Sequence, residues 1–314
     1  MITSTYSKDG KVITEEFYKY YKRNEMWIDC KNPKKRDLKI LADQTKIPLE
    51  DFIRALDEDE RPHINDFDNH SIVTIKAPHK TNTSLTTVPI TFILKDQSVI
   101  ILRRHDFEWL ANVNSLTDEQ KMKLFKKDLT YTLSAFFEQV LTSFFKYTDF
   151  LEDELDKVEK HVFKSPTKKV VKEIFSLKKT LIFFHKALIG NREVLTGIEK
   201  EFLREIKGAN LRRFRYLYND VTQLIEMVGT HREVLTGTLD IYLTSVSNNM
   251  NEVMKRLTVI TSFILIPTLI SGIYGMNFKG MDEFNWPYGQ FFAYGMMFIS
   301  TLAVFFYFKK NKFM

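Results

Sequence analysis

Two long stretches near the C-terminal end contain no charged residue: Leu257 to Phe278, 22 residues, and Phe284 to Phe308, 25 residues. A helix needs about 20 apolar residues to cross about 30 Å of hydrocarbon, and one charge at its middle costs about 2.5–3.5 kcal/mol of insertion free energy. The chain is therefore expected to place two helices across a membrane, at 257–278 and 286–308, joined by a loop at 279–285. A pair of buried core helices is the competing reading. Against it, Trp286, Tyr288, Tyr307 and the flanking lysines stand where interfacial anchors belong. Of the 46 Lys and Arg and 40 Asp and Glu residues, only six follow Arg256: Lys279, Asp282, Glu283, Lys309, Lys310 and Lys312. The residues up to Arg256 thus belong to a different solvent.

The flanks predict the orientation. Lys255 and Arg256 precede the first stretch and a basic tail, 309–314, follows the second, whereas the loop offsets its one lysine with Asp282 and Glu283. The bias of basic residues toward the cytoplasm then puts both termini inside and a short acidic loop outside. The first residues, Met1 to Asp9, show no basic and apolar segment of a secretory signal, so the first domain is expected in the cytoplasm.

Composition excludes several classes. The net charge of +6 is spread with signs mixed, and no aromatic-plus-basic or zinc-finger pattern accompanies it, so nucleic acid is not an expected partner. Cys30 stands alone, which rules out an internal disulfide and reads as a core residue. The seven histidines are scattered without metal-ligand spacing, and the acidic runs 57–60 and 152–159 read as solvated helical faces. Neither an enzyme nor an organic cofactor is expected, and no Gly-rich phosphate loop ending in Gly-Lys-Ser/Thr marks an energy source.

Residues 1–140 read as a mixed α/β domain. Met26–Cys30, Ser71–Ala77, Thr86–Leu94 and Ser98–Arg103 are strand candidates rich in Ile, Val, Thr and Phe, and Arg36–Asp43 and Pro48–Leu56 are short helices. The pattern turns helical from Thr117, with breaks near Ser165-Pro166 and Gly208-Ala209-Asn210, and 141–256 is a helical region. Phe214, Leu217, Val221, Leu224, Val228, His231 and Leu235 recur at 3-4 spacing and the series continues through Leu239, Tyr242, Val246, Met250 and Val253, with one extra four-residue step. One unbroken helix is expected to run into the first span, packed along other helices. Those helices belong either to a bundle within one chain or to further copies.

A second stripe marks the same helix nearer the membrane. Asn251, Met254, Thr258, Thr261, Leu265, Thr268 and Gly272 follow 3-4 spacing, and Asp240 and Ser247 extend it downward. Amides and hydroxyls in register suit other copies or a wet axis better than lipid. The alternative is that the hydroxyls bond back to their own helix.

Where the first span ends stand Tyr274-Gly275-Met276-Asn277-Phe278, after a span containing Pro267 and before a short acidic loop and a second span. This resembles the CorA family of divalent-cation channels. The segment from Asp240 to Lys255 and the run Leu56-Asp57-Glu58-Asp59-Glu60-Arg61-Pro62 are also similar to that family. The resemblance implies an α+β domain built as an α/β/α sandwich, a long stalk helix, two C-terminal spans and a funnel-shaped homopentamer in the cytoplasmic membrane. It implies that Gly275, Met276 and Asn277 form the external entrance, with Asn277 as the selectivity ring for hydrated Mg2+. Asn251, Met254, Leu257, Leu265 and Thr268 fall on family pore positions, Asp240 on the acidic one lower down, and Phe263 and Ile264 on the face toward the second span or lipid. Mg2+ is then the transported ion and the cytoplasmic regulator, with Co2+ and Ni2+ as further cargo. Zinc transporters of the superfamily usually carry Ile at the position of Met276. The chain departs from the family pattern at Tyr216 and Asn219, where the stalk often has Asp, and at Asp282, where the outer loop often has Pro.

The residues suit a hydrated ion. Magnesium gives up its water reluctantly, and neutral Asn277 side chains can accept hydrogen bonds from its water shell without stripping it. Rings of Leu265, Leu257 and Met254 can close a path by dewetting. A two-span tether with a partner-binding helical domain accounts for the heptad but not for the polar stripe.

Overall fold

The computed structural model describes residues 2–8, 11–17, 19–20, 26–81, 84–125, 128–164, 167–200, 202–203, 206, 211–276 and 286–311. Strands form where β-branched residues alternate. β1 (Ile2–Lys8) and β2 (Lys11–Glu16) make an antiparallel hairpin, and β3 (Met26–Lys31) pairs with the other side of β1. Helices α1 (Lys35–Thr45) and α2 (Leu49–Arg54) follow. A second antiparallel run then comprises β4 (His63–Asp66), β5 (Ser71–Lys80), β6 (Leu85–Lys95) and β7 (Ser98–Arg103). β3 and β7 pair in parallel and join the two runs into one seven-stranded sheet of order β2-β1-β3-β7-β6-β5-β4. All four strand candidates and both short helices of the first region are present. β1, β2 and β4 are additions that their short and largely polar sequences conceal.

Beyond the sheet lie α3 (Glu108–Asn114), α4 (Asp118–Phe125), α5 (Leu129–Lys164), α6 (Lys168–Glu199), α7 (Leu211–Tyr274) and α8 (Gly289–Lys310). The two-residue period of β3 sorts its side chains between two layers. Met26, Ile28 and Cys30 join Leu38, Leu41 and Phe52 of α1 and α2 in one core. Trp27 turns the other way and meets Phe136 of α5 edge-on, ring centroids 6.0 Å apart. Helices therefore cover both faces, giving the α/β/α sandwich. Cys30 is fully buried, and burial pushes its thiol well above the ordinary range.

α6 closes the sheet edge where β4 stops. Asn191 accepts from the Lys76 backbone N–H at 2.9 Å and donates to the Lys76 carbonyl at 2.8 Å, taking the place of a strand neighbour. Both backbone groups of Lys76 thus point away from Pro89, its β6 partner, so a residue without an N–H is tolerated there. The approach is close: a methyl group at Gly190 would lie 2.7 Å from Pro62, and one at Gly197 2.8 Å from Ile64.

α5, α6 and α7 pack as a bundle. Phe137 meets Phe214, and Glu152 lies 4.0 Å from His231, so α5 and α7 run parallel. Phe144 meets Phe184, and Arg215 pairs with Glu199 at the other end, so α6 runs against both. The α7 seam from Phe214 to Leu235 is buried in this bundle. Its first part is therefore satisfied within one chain. The expected breaks at Ser165-Pro166 and 208–210 lie outside the described residues, between helix ends at Lys164 and Lys168 and at Glu199 and Leu211. The chain divides into two compact units, Met1–His161 with Thr167–Leu239, and Val162–Pro166 with Asp240–Met314.

Candidate functional site

α7 is one helix of 64 residues whose C-terminal part is apolar, and α8 is a second apolar helix of 22 residues. Both are long and apolar enough to cross a membrane, and only 6% and 11% of their most apolar windows are buried. Core helices of a soluble domain would be covered, so the membrane reading stands over the core-helix one.

Contact with α8 divides the membrane part of α7 into two faces. Val259, Phe263, Ile266, Pro267, Ile270 and Tyr274 are wholly or partly covered. Phe263 meets Phe308 at 6.4 Å, and Gly289, Ala293 and Phe308 are the buried residues of α8. At about 100° per residue, Asn251, Met254, Leu257, Thr261, Leu265, Thr268 and Gly272 fall on the opposite side of the helix. All seven are exposed, as is Asp240 where the second unit begins. Ile264 is exposed too, while Phe263 packs on α8. The α8-facing set also has near-regular spacing, but in a helix apolar all round that signal is drowned.

Two hydroxyls of the stripe bond back to their own helix. Thr258 donates to the Met254 carbonyl at 2.9 Å and Thr268 to the Ile264 carbonyl at 2.7 Å. Both residues are exposed, and a hydroxyl that donates to its own helix keeps its acceptor lone pairs, which suits water bound to a cation, since such water points its hydrogens away from the ion. Back-bonding and a wet outer face are therefore compatible.

α7 ends with an ordinary helical bond from the Gly275 N–H to the Ser271 carbonyl at 2.9 Å, followed by a tightened one from the Met276 N–H to the Ile273 carbonyl at 3.2 Å. Gly275 and Met276 are exposed there. Asn277, Asp282 and Glu283 lie outside the described residues. No group of three or more His, Cys, Asp or Glu side chains able to hold a metal occurs among the described residues. Tyr216 is exposed on α7, and nearby Asp220 has its carboxyl raised above the usual range by burial and by Glu138.

An α/β domain that gives rise, through one continuous helix, to an apolar helical pair with a polar outer stripe defines a class: a two-span membrane transporter with a large extramembrane domain. The sequence profile described as CorA-like Mg2+ transporter protein matches residues 24–310, and the chain belongs to that family. The cobalt/magnesium transport protein CorA of Methanocaldococcus jannaschii is 29% identical over 308 residues, covering 97% of each chain. The protein of the same name from Thermotoga maritima is 30% identical over 266 residues, 84% of this chain and 75% of its own. The complete structure of the CorA magnesium transporter from M. jannaschii matches with a TM-score of 0.91 at 27% identity, over 100% of this chain and 99% of that one.

Proposed function

We propose that the chain is one subunit of a homopentameric channel that takes up hydrated Mg2+, with Co2+ and Ni2+ as further cargo, driven by the membrane potential and closed by cytoplasmic divalent cation. The observation that carries this is the bare polar stripe of α7, from Asn251 to Gly272, opposite the face that α8 covers. Five copies with that stripe turned inward enclose a path lined by Thr261 and Thr268 oxygens and narrowed by Met254, Leu257 and Leu265. Gly275, Met276 and Asn277 form its outer mouth, with Asp282 and Glu283 attracting cations from outside and both termini in the cytoplasm. The names of the M. jannaschii and T. maritima relatives support magnesium and cobalt as cargo.

The potential is a sufficient energy source. A divalent ion gains about 4.6 kcal/mol per 100 mV of inside-negative potential, at about 2.3 kcal/mol per charge. At about 1.4 kcal/mol per decade, that supports a gradient of about 1000-fold or more. The decisive experiment is magnesium flux into proteoliposomes under an imposed potential, with cobalt hexaammine as a mimic of the hydrated ion. Flux should rise with the potential, be blocked by the hexaammine complex, and disappear in Asn277→Leu with assembly intact. Wild-type flux in that variant would remove Asn277 from the filter, and no flux in the parent protein would end the channel reading.

A further inference from the structure

Within the first compact unit, α5 and α6 carry opposite charge on the faces they leave bare. Over residues 149–156, α5 has five acidic residues and no base, and over 168–186, α6 has six lysines and one acid, Glu173. Glu173 is engaged by His161 and Lys169, 3.9 Å from each. Lys146 and Lys157, at either end of the acidic stretch, are held by Glu108 at 2.8 Å and Glu154 at 2.6 Å. Lys160, one turn after Asp156, ends the acidic row.

The ring contact of Phe144 with Phe184 fixes the sides on which the two helices meet. Asp149, Asp153 and Asp156 stand about 120–180° round α5 from Phe144, at about 100° per residue. By the same count, Lys168, Lys172, Phe175, Lys179, Ile182 and Lys186 stand about 120–180° round α6 from Phe184. All of them are exposed. The two rows therefore point away from each other and cannot meet within one chain. Among the described residues, none of these aspartates and lysines has an ion-pair partner within 4.0 Å. Their heights agree. Phe184 stands opposite Phe144 and Glu173 opposite His161, so the three aspartates are level with the stretch from Lys172 to Ile182.

Opposite charges on opposite sides at one height suit a head-to-tail contact between identical subunits, which closes into a ring when repeated about an axis. Apolar surface accompanies the charge. Phe175 and Ile182 are 57% and 44% exposed among the lysines, and Phe150, exposed on α5, stands at the height of Ile182. We propose that the acidic row of α5 docks on the Lys-Phe-Lys-Ile row of α6 in a second copy of this chain. The contact rests on the ring assembly proposed above and adds a second place, outside α7, where neighbouring subunits meet. Its charges set partner and register more than strength.

Cross-linking of the full-length protein in detergent, with a short bismaleimide, tests this contact. The double variant Asp153→Cys with Lys179→Cys should give a ladder reaching five chains. The two single variants should give dimers when co-expressed and none when made alone, because a head-to-tail contact keeps like residues apart. Cys30 is fully buried and adds no background. Reversing the acidic row, Asp149→Lys with Asp153→Lys and Asp156→Lys, should lower the five-chain fraction several-fold in native mass spectrometry at low ionic strength, where exposed charges are least screened. Adding Lys172→Glu and Lys179→Glu to the same chain should restore it, a rescue that a misfolded variant would not show. A five-chain parent protein without the mixed cross-link, or with cross-links to a different protein at these positions, would overturn this contact and leave the assembly standing. A monomeric parent protein would overturn both.

Discussion

Arg103 shows how much a single side chain can hold at the sheet centre. Its guanidinium donates two bonds of 2.8 Å to Asp29, one of 2.7 Å to the His105 carbonyl and one of 3.0 Å to Asp106. Arg103 and Asp29 are both buried, and removing one partner of such a pair typically costs about 3–5 kcal/mol because the other charge stays buried. Asp29→Ala should therefore lower the unfolding midpoint in guanidinium, followed by the emission of nearby Trp27, while flux at low temperature persists. An unchanged midpoint would show that Asp106 alone supports Arg103. No local pattern could have paired these residues, which lie 74 positions apart. Tyr216 poses the opposite case, a residue whose interest came from the sequence and whose exposed position leaves it available to a partner subunit. A neutral phenol cannot supply the anionic oxygen that a hard divalent ion favours. Tyr216→Asp should strengthen inhibition by internal magnesium in excised patches. An identical dose-response would place regulation elsewhere, with Asp66, Asp68 and the run Asp57–Glu60 as the next carboxylates to neutralise.

Among the elements, α7 performs two different tasks along its length. Its first part is an ordinary bundle helix, buried from Phe214 to Leu235, and its last part offers one side to α8 and the other to no described residue. Hydrophobic spacing announced a packed seam but not whose helices fill it, since a seam buried by α5 reads the same as one buried by a second copy. If apolar rings close the path by dewetting, Leu257→Ser or Met254→Ser should raise resting conductance several-fold in planar bilayers. Unaltered conductance in both would put closure at another level. The strands divided along similar lines. β5, β6 and β7 were legible because they are rich in Val and Ile. β1, with Thr, Ser and Lys among its seven residues, became a strand through pairing on both sides, which no local propensity encodes. The Asn191 clamp was equally silent, because an Asn within a helix gives no sign that it completes a sheet edge 115 residues away.

For the whole molecule, the exposed continuation of the α7 seam is the feature a single chain leaves unexplained. Val246, Met250 and Val253 are exposed ahead of the first span, at the same spacing as the buried residues before them. An apolar row of this kind calls for cover, which second copies of the chain would supply in the proposed assembly. Val246→Cys should form dimers under mild oxidation, and native mass spectrometry of the parent protein should give five chains. Cys30 cannot confuse the first measurement, since it is fully buried with its thiol pushed up. Monomers in both experiments would contradict the assembly. The sequence by itself determined the two spans, the long helix that feeds the first of them, the α/β character of the first domain and the family. Each of these rests on composition or short-period spacing, which act over a few residues. Only the tertiary structure decided that half the seam is filled at home, that the polar stripe lies opposite α8, and that α6 completes the sheet edge beside Lys76. Those outcomes depend on which distant segments meet, and contact between residues far apart in the chain is set by packing of the whole core.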